Sequence, residues 1–212
     1  MKIESIELEN FRQYKDDHIE FTTEGTAINV IVARNGKGKS NILNAITWCL
    51  YKEEVHSDEN KGYPLINTNV LDKMQEGDRK NVSVELEMID EDGKRHNIER
   101  SKSFKKKDEL TTVNEEFFYT REEDGDMKPV PKPEQMISRK MPEGIKKYFF
   151  FDGENIKDYV TGGSKEVEPA IRNISQIDVL STLKRHLNEM KGRIIDRKDE
   201  LNEDIEELRE GI

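Results

Sequence analysis

Hydrophobic residues alternate with polar ones in two stretches of the chain that we predict to be β-strands. Residues 2–11 place Ile6 and Leu8 between charged neighbours. Every second side chain of a strand faces the same side, so this spacing puts the apolar pair on one face. Residues 82–90 alternate in the same way, and a glycine-containing turn leads into a predicted return strand over residues 96–104. Both stretches indicate half-buried antiparallel strands.

The same reasoning places further elements around this hairpin. Residues 18–22 predict a short second strand, and residues 117–130 predict another hairpin that turns at residues 123–126. A short helix is predicted over residues 134–147, interrupted at Pro142 because proline lacks the N–H that a helix interior needs. We therefore expect the middle of the chain to be a β-rich arm.

A different pattern occupies residues 28–50. Residues 28–33 are apolar and β-branched except for Asn29, a polar turn containing glycine follows, and a helix-period pattern begins near Lys39. This order of strand, loop and helix is the context that a phosphate-binding loop requires. The turn reads Ala33-Arg34-Asn35-Gly36-Lys37-Gly38-Lys39-Ser40 and fits the template G-x-x-x-x-G-K-[ST], except that Ala33 replaces the first glycine.

The residue types in this loop match the chemistry of phosphate binding. Gly36 and Gly38 let successive backbone N–H groups point inward without a Cβ in the way. Lys39 would reach the β and γ phosphates, Ser40 would offer its hydroxyl to Mg²⁺, and the N-terminus of the helix adds partial positive charge. Ala33 alters the loop only if that position requires a positive φ. A turn that binds nothing is the alternative, and the flanking patterns argue against it.

Composition limits the other functions that the chain can have. The net charge of −10 argues against a protein that coats nucleic acid by bulk attraction. One dense basic cluster remains, made of Arg100, Lys102, Lys105, Lys106 and Lys107. It could contact a DNA backbone, but a solvated hairpin tip is the interpretation that we favour.

Two further features concern location and the single cysteine. No apolar run approaches the roughly eighteen residues of a membrane span, and the N-terminus lacks the apolar core of a signal peptide, so we expect a cytoplasmic protein. Cys49 lies in the apolar pattern of the helix after the loop, where a buried structural thiol is expected.

An aromatic run at residues 148–151 ends at Asp152 and Gly153. Such a run predicts a strand buried on both faces, and ligands collect at the carboxyl ends of strands in open α/β sheets. Asp152 and Glu154 are therefore candidate functional carboxylates, with an ordinary Asp-Gly turn as the alternative.

The chain is helical in pattern from residue 168 onward. Apolar residues step by three and four and then by seven, with dense charge between them, at Leu180, Leu183, Leu187, Met190, Ile194, Leu201 and Leu208. This spacing is typical of a coiled coil. Its partner strand is missing and the pattern stops unfinished, so we expect the sequence to be the front part of a longer protein.

Together these elements resemble the N-terminal half of an SMC/RecF-type ABC ATPase, the class of coiled-coil ATPases of DNA repair and chromosome organisation. The class resemblance rests on Asn10-Phe-Arg12, the loop from Asn35 to Asn41, the β-rich arm and the coiled coil. Within the class, the chain is most similar to the DndD family of DNA sulfur modification proteins and related antiphage ATPases. That similarity rests on Leu65-Ile-Asn67, Tyr148 to Ile156 and Ala170 to Asn173.

The resemblance implies an α/β P-loop NTPase fold, with the N-terminal lobe of an ABC-type ATPase head over residues 1–167 and a coiled-coil arm over residues 168–212. It implies ATP and Mg²⁺ as cofactors, with Arg12 approaching the phosphates. Asp152 falls where relatives place a glutamine that senses Mg²⁺ and the γ-phosphate, so Ser40 and Asp152 are the candidate metal ligands. The full set of candidate nucleotide-binding residues is Arg12, Arg34, Asn35, Gly36, Lys37, Gly38, Lys39, Ser40 and Asn41.

The resemblance also implies a function and partners. The chain would bind ATP and Mg²⁺, dimerise head to head around the nucleotide, and couple this cycle to DNA handling in phosphorothioation or phage defence. Its partners would be the C-terminal half of the same ATPase, which supplies the general base, a second copy, DNA and other modification or defence subunits, but no membrane. The alternative is a structural or regulatory module that holds nucleotide without turnover and docks partners through its coiled coil. A small P-loop kinase fits poorly, because nothing resembles an acceptor site.

Overall fold

A computed structural model of the 212-residue chain describes residues 1–26, 28–54, 64–141, 146, 150, 183–195 and 197–198. The chain divides into two units, Met1–Glu143 and Gly144–Ile212, which are described separately below.

The first unit contains a six-stranded sheet in which every neighbouring pair is antiparallel, in the order β2-β1-β3-β4-β5-β6. The strands are β1 (Lys2–Glu9), β2 (Asp16–Glu20), β3 (Arg79–Ile89), β4 (Arg95–Lys106), β5 (Leu110–Glu123) and β6 (Asp126–Pro129). The helices are α1 (Lys39–Tyr51), α2 (Thr68–Leu71) and α3 (Pro133–Lys140).

Helix α1 packs on one face of this sheet and forms the core with it. The inward side chains of β1, β3 and β4 are fully or almost fully buried, among them Leu8, Val84 and Ile98. Cys49 of α1 is buried between two of these strands, with its Sγ 3.4 Å from the Val84 carbonyl oxygen and 3.5 Å from that of Ile98. The helix that follows the candidate loop is thus held directly against the sheet.

The predicted hairpins are confirmed, but the predicted β-rich arm is not a separate appendage. The turns lie between β3 and β4 and between β5 and β6, close to where the sequence placed them. However, β3 also pairs with β1, with Glu7 opposite Glu85, so the strands of the arm continue the sheet that β1 begins. The physical reason is that β1 and β3 carry inward apolar residues in the same phase, and α1 packs against β3 and β4.

The strand predicted over residues 28–33 is not formed. Its apolar side chains lie in the solvent instead, with Ile28 87% and Val32 88% exposed. A strand needs a neighbour to accept and donate its backbone hydrogen bonds. In the described part of the chain, no strand pairs with this segment.

The predicted helix after the sheet is confirmed as α3, which ends at Lys140, while Pro142 lies outside the described residues. In the second unit, residues 183–195 are helical and expose Leu187, Met190 and Ile194. Leu183 is also exposed, whereas Leu180, Leu201 and Leu208 lie outside the described residues, so coiled-coil pairing stays a prediction. No described helix is both long and apolar enough to span a membrane.

Candidate nucleotide-binding site

The loop before α1 has the backbone conformation that its glycines allow. Gly36 has a φ of 74° and Gly38 a φ of 98°, values that L side chains rarely adopt. The Gly38 carbonyl accepts from the N–H of Asn41 at 2.9 Å and that of Ile42 at 3.2 Å, which starts the helix. Ala33 is not among the residues with positive φ, so its methyl group causes no backbone strain.

The start of α1 offers donors without a competing carboxylate. The first turn contains no acidic residue and no side chain caps it. Within the described residues, the N–H groups of Lys39 and Ser40 donate to no backbone carbonyl. The Lys39 ammonium folds back onto the loop, 2.7 Å from the Ala33 carbonyl oxygen and 3.2 Å from that of Arg34. Neutral carbonyls hold a cation less strongly than an anion does, so a phosphate can replace them.

The other loop residues are placed as follows. Arg34, Asn35, Gly36 and Lys37 are exposed, with the Lys37 N–H donating to the Arg34 carbonyl at 3.2 Å. The exposed Ser40 lies in the first turn, where its hydroxyl can serve as one oxygen ligand of a magnesium ion that keeps several waters.

Arg12 lies in the turn after β1 and has a φ of 52°, in the left-handed region. Its Nε donates to Glu54 Oε1 at 3.0 Å, a second nitrogen pairs with Glu54 Oε2, and Nη1 donates to the Pro64 carbonyl at 3.1 Å. The buried guanidinium is therefore engaged with a carboxylate in this structure. Its approach to the phosphates of a nucleotide stays a prediction.

Sequence reasoning missed two residues next to Arg12 that contact the loop. The Tyr14 hydroxyl donates to the Gly38 carbonyl at 3.1 Å, and Gln13 Oε1 accepts from Asn41 Nδ2 at 2.5 Å. Burial, and secondarily the charge of Asp17, raises the pKa of Tyr14, so the hydroxyl keeps its proton. The available signal was their position directly after Asn10-Phe-Arg12.

The predicted carboxylate site at Asp152 and Glu154 is not tested by the structure. Asp152, Glu154 and most of the aromatic run before them lie outside the described residues. Among the residues that the structure does describe, no group of three or more His, Cys, Asp or Glu side chains could hold a metal ion. Asp152 as a magnesium ligand therefore stays a prediction.

The residues of the basic cluster named in the sequence analysis do not form one surface in the structure. Arg100 is only 2% exposed, and its Nε donates to the Cys49 carbonyl at 2.9 Å. The same guanidinium lies 3.3 Å from Glu115 and 4.1 Å from the centre of the Phe117 ring. Lys106 Nζ donates to the Leu71 carbonyl at 3.4 Å. These two cations are structural.

A smaller basic surface remains at one end of the sheet. Arg79 lies directly opposite Lys105 across β3 and β4, the exposed Lys80 follows Arg79 in the chain, and the exposed Lys107 lies two residues after Lys105. Like charges directly opposite one another on a sheet repel. This end, called the basic edge below, would therefore gain from an anion.

A glycine loop that opens a helix packed on a sheet is typical of P-loop nucleotide-binding domains. Comparison with known families agrees with this class: a model described as an AAA domain matches residues 5–212. The chain belongs to this family of AAA-domain proteins.

Curated relatives narrow the class further. The chain is 28% identical over 211 residues to the DNA double-strand break repair Rad50 ATPase of Sulfurisphaera tokodaii, a match that covers 98% of this chain and 21% of that protein. It is 34% identical over 71 residues to the DNA replication and repair protein RecF of Clostridioides difficile, covering 34% of this chain and 18% of that protein. Structural maintenance of chromosomes protein 3 of Caenorhabditis elegans is 35% identical over 74 residues, 35% of this chain and 6% of that protein.

A solved structure of the recombination mediator protein RecF with ATP is also similar, with a TM-score of 0.40 and 19% identity, covering 69% of this chain and 33% of that one. The chain therefore spans about a fifth or less of the curated relatives named above. The predicted resemblance to SMC/RecF-type ATPases is confirmed at the level of this class.

Proposed function

We propose that the chain is the N-terminal half of an SMC-like ATPase head that binds ATP and Mg²⁺. The observation that carries the proposal is the start of α1, where the N–H groups of Lys39 and Ser40 donate to no described backbone carbonyl, neutral carbonyls hold the Lys39 ammonium, and the first turn contains no acidic residue. Such a helix start stabilises a triphosphate electrostatically. Ser40 would hold the magnesium ion, which neutralises charge on the phosphates.

The exposed segment at residues 28–33 supports the proposal that another part of the protein completes the ATPase head. It is apolar on both faces, which is typical of a strand inside a parallel sheet that is covered on each side. A neighbouring cavity of about 430 Å³, lined partly by Ile3, Phe21 and Ile46, leaves further apolar surface uncovered. The C-terminal half of the ATPase would supply the partner strands and the general base, and a second copy would close the nucleotide between two heads.

We propose that closure of two heads around the nucleotide is coupled to the handling of DNA, in phosphorothioation or phage defence. The pathway is proposed from the resemblance of short strings to DndD proteins, and one of these strings, Leu65 to Asn67, pairs with the turn that contains Arg12. The basic edge supplies a surface for phosphates. Replacing Arg79 and Lys105 with serine should weaken DNA binding and flatten its dependence on salt by roughly one counterion per lost contact. An unchanged salt dependence would exclude the basic edge.

Binding of Mg·ATP by the 212-residue chain tests the core of the proposal. We expect binding by the wild type and at least about a tenfold loss in Lys39→Ala, because a charge-assisted contact contributes about 1.5–3 kcal/mol. Lys128→Ala, an exposed lysine of β6, is the matched control and should bind as the wild type does. Absence of binding by the wild type, or equal binding by Lys39→Ala, would refute the proposal.

Turnover is expected only when the C-terminal half is added. The 212-residue chain alone should hydrolyse ATP no faster than Lys39→Ala, whereas the completed head should show Mg²⁺-dependent hydrolysis. Rapid turnover by the chain alone that is lost in Lys39→Ala would show that the catalytic base lies within it.

A non-hydrolysing module that docks partners through its helical arm is the second candidate. The exposed Leu187, Met190 and Ile194 on the helix of the second unit favour docking. Ala33 does not favour it, because that residue needs no positive φ. Binding without hydrolysis in the completed head would support this module.

A further inference from the structure

We propose that Gln13 and Tyr14 position the phosphate-binding loop, an inference that rests on the proposed function of that loop. Their side chains contact the two residues that bracket Lys39 and Ser40. Tyr14 donates to the carbonyl of Gly38, and Gln13 accepts from the side chain of Asn41, at 3.1 and 2.5 Å. The turn after β1 therefore holds both sides of the segment that would meet the phosphates.

The direction of one peptide group follows from the contact of Tyr14. In a planar trans peptide, the N–H points opposite to the C=O. A hydroxyl that fixes the Gly38 carbonyl therefore also fixes the N–H of Lys39, one of the donors at the start of α1. This N–H donates to no backbone carbonyl within the described chain. Tyr14 thus orients a donor that it does not itself touch.

The turn and the loop are in close contact at position 38. A Cβ placed on Gly38 would overlap the Gln13 amide and lie 2.8 Å from the Tyr14 hydroxyl oxygen. The φ of 98° disfavours a side chain there independently. Gln13 and Tyr14 therefore cover one side of the glycine, where the tight approach sets the position of the loop backbone.

The turn that carries these residues is itself anchored. Tyr14 N–H donates to the Phe11 carbonyl at 2.8 Å, and Asn67 Nδ2 donates to the Tyr14 carbonyl at 3.4 Å. Phe11 is fully buried, and its ring centre lies 5.6 Å from that of Trp48 in α1. Gln13 and Tyr14 can position the loop only if the turn that carries them is itself fixed. These contacts fix that turn to the core.

Nucleotide affinity separates a positioning role from a purely structural one. We expect Tyr14→Phe to weaken binding of Mg·ATP to the 212-residue chain by about three- to tenfold, the value of one hydrogen bond. Gln13→Ala should weaken it similarly. Gln13→Glu should weaken it more, because the added negative charge lies beside the phosphates.

Tyr119→Phe is the matched control. It also removes one hydroxyl, which lies in hydrogen-bond contact with His96 Nδ1, 2.9 Å away, within the sheet. This variant should lose thermal stability but keep the wild-type affinity within about twofold, since a hydrogen bond away from the loop affects folding alone. Wild-type affinity in Tyr14→Phe and in both Gln13 variants would overturn the inference while leaving ATP binding intact.

Hydrogen exchange in the nucleotide-free chain gives a second, independent reading. The amides of Asn41 and Ile42, which donate to the Gly38 carbonyl, should exchange faster in Tyr14→Phe than in Tyr119→Phe, because the start of α1 loses its contact with Tyr14. If the wild type binds no nucleotide, the proposed function fails. The exchange rates of Tyr14→Phe and Tyr119→Phe then decide by themselves whether Tyr14 positions the loop. Equal exchange in the two variants would overturn it.

Discussion

Replacing Arg100 with methionine removes the guanidinium that ties the end of α1 to the sheet, while keeping an unbranched side chain. The substitution leaves the Cys49 carbonyl without its buried donor, which costs about 1–3 kcal/mol. It also removes the cation over the Phe117 ring, a contact of about 0.5–1 kcal/mol. Glu115 keeps Lys52 as a partner at 2.9 Å, so its loss is small.

We therefore expect Arg100→Met to lower the free energy of unfolding by about 2–4 kcal/mol, which corresponds to a fall in melting temperature of about 5–15 °C. Urea unfolding followed by tryptophan fluorescence measures this directly. Trp48 is the single tryptophan, it is 5% exposed, and it lies in the helix that Arg100 anchors.

Lys105→Met is the control, because it removes a partly exposed cation near the end of the same strand. It should change the free energy of unfolding by no more than about 0.5 kcal/mol, as surface substitutions usually do. If Arg100→Met also stays within that limit, or if both variants lose equal stability, Arg100 is not the structural anchor described above.

Three further outcomes follow from buried or crowded titratable groups. Burial lowers the pKa of His96 below its unfolded value despite its hydrogen bond to Asp90, so its contribution to stability is present above about pH 6.5 and is lost as the pH falls; His96→Gln should flatten the change in urea midpoint between pH 7 and pH 5. Burial raises the pKa of Cys49 to about 12, so a thiol reagent should modify it only after unfolding; rapid modification of the native protein would contradict this. Burial and then the charge of Glu85, its cross-strand neighbour, raise the pKa of Glu99, so Glu99→Gln should stabilise the protein at pH 7 by about 0.5 kcal/mol, and a lower melting temperature would show that the repulsion is unimportant.

The hairpins and α1 were predictable because their apolar residues follow a local period. The burial of Arg100 could also have been predicted, since it keeps the inward phase of His96 and Ile98, but we favoured a solvated hairpin tip for the basic cluster that contains it. The pairing of β1 with β3 could not be predicted, because that register joins residues about eighty positions apart and depends on a shared core. Local alternation carries no information about which distant strand becomes the neighbour.

The candidate loop was predictable from its glycines and Lys39, since the template states chemistry that any such loop must meet. The contacts of Gln13 and Tyr14 were not, because a turn after β1 reaches Gly38 only through the folded arrangement of sheet and helix. The segment at residues 28–33 failed as a predicted strand for a related reason. Its composition describes a sheet interior, and the neighbours that make an interior are not in the described chain.

The exposed apolar segment at residues 28–33 also affects how the protein behaves at high concentration. Residues 28–33 combine β-branched side chains with no charge and no proline, the composition of stretches that stack into intermolecular cross-β assemblies. The edge strands of the sheet resist such stacking, because β2 is short and charged and β6 ends in Pro129. Self-association should therefore start at residues 28–33, and a charged residue at Val30 should keep the protein dispersed.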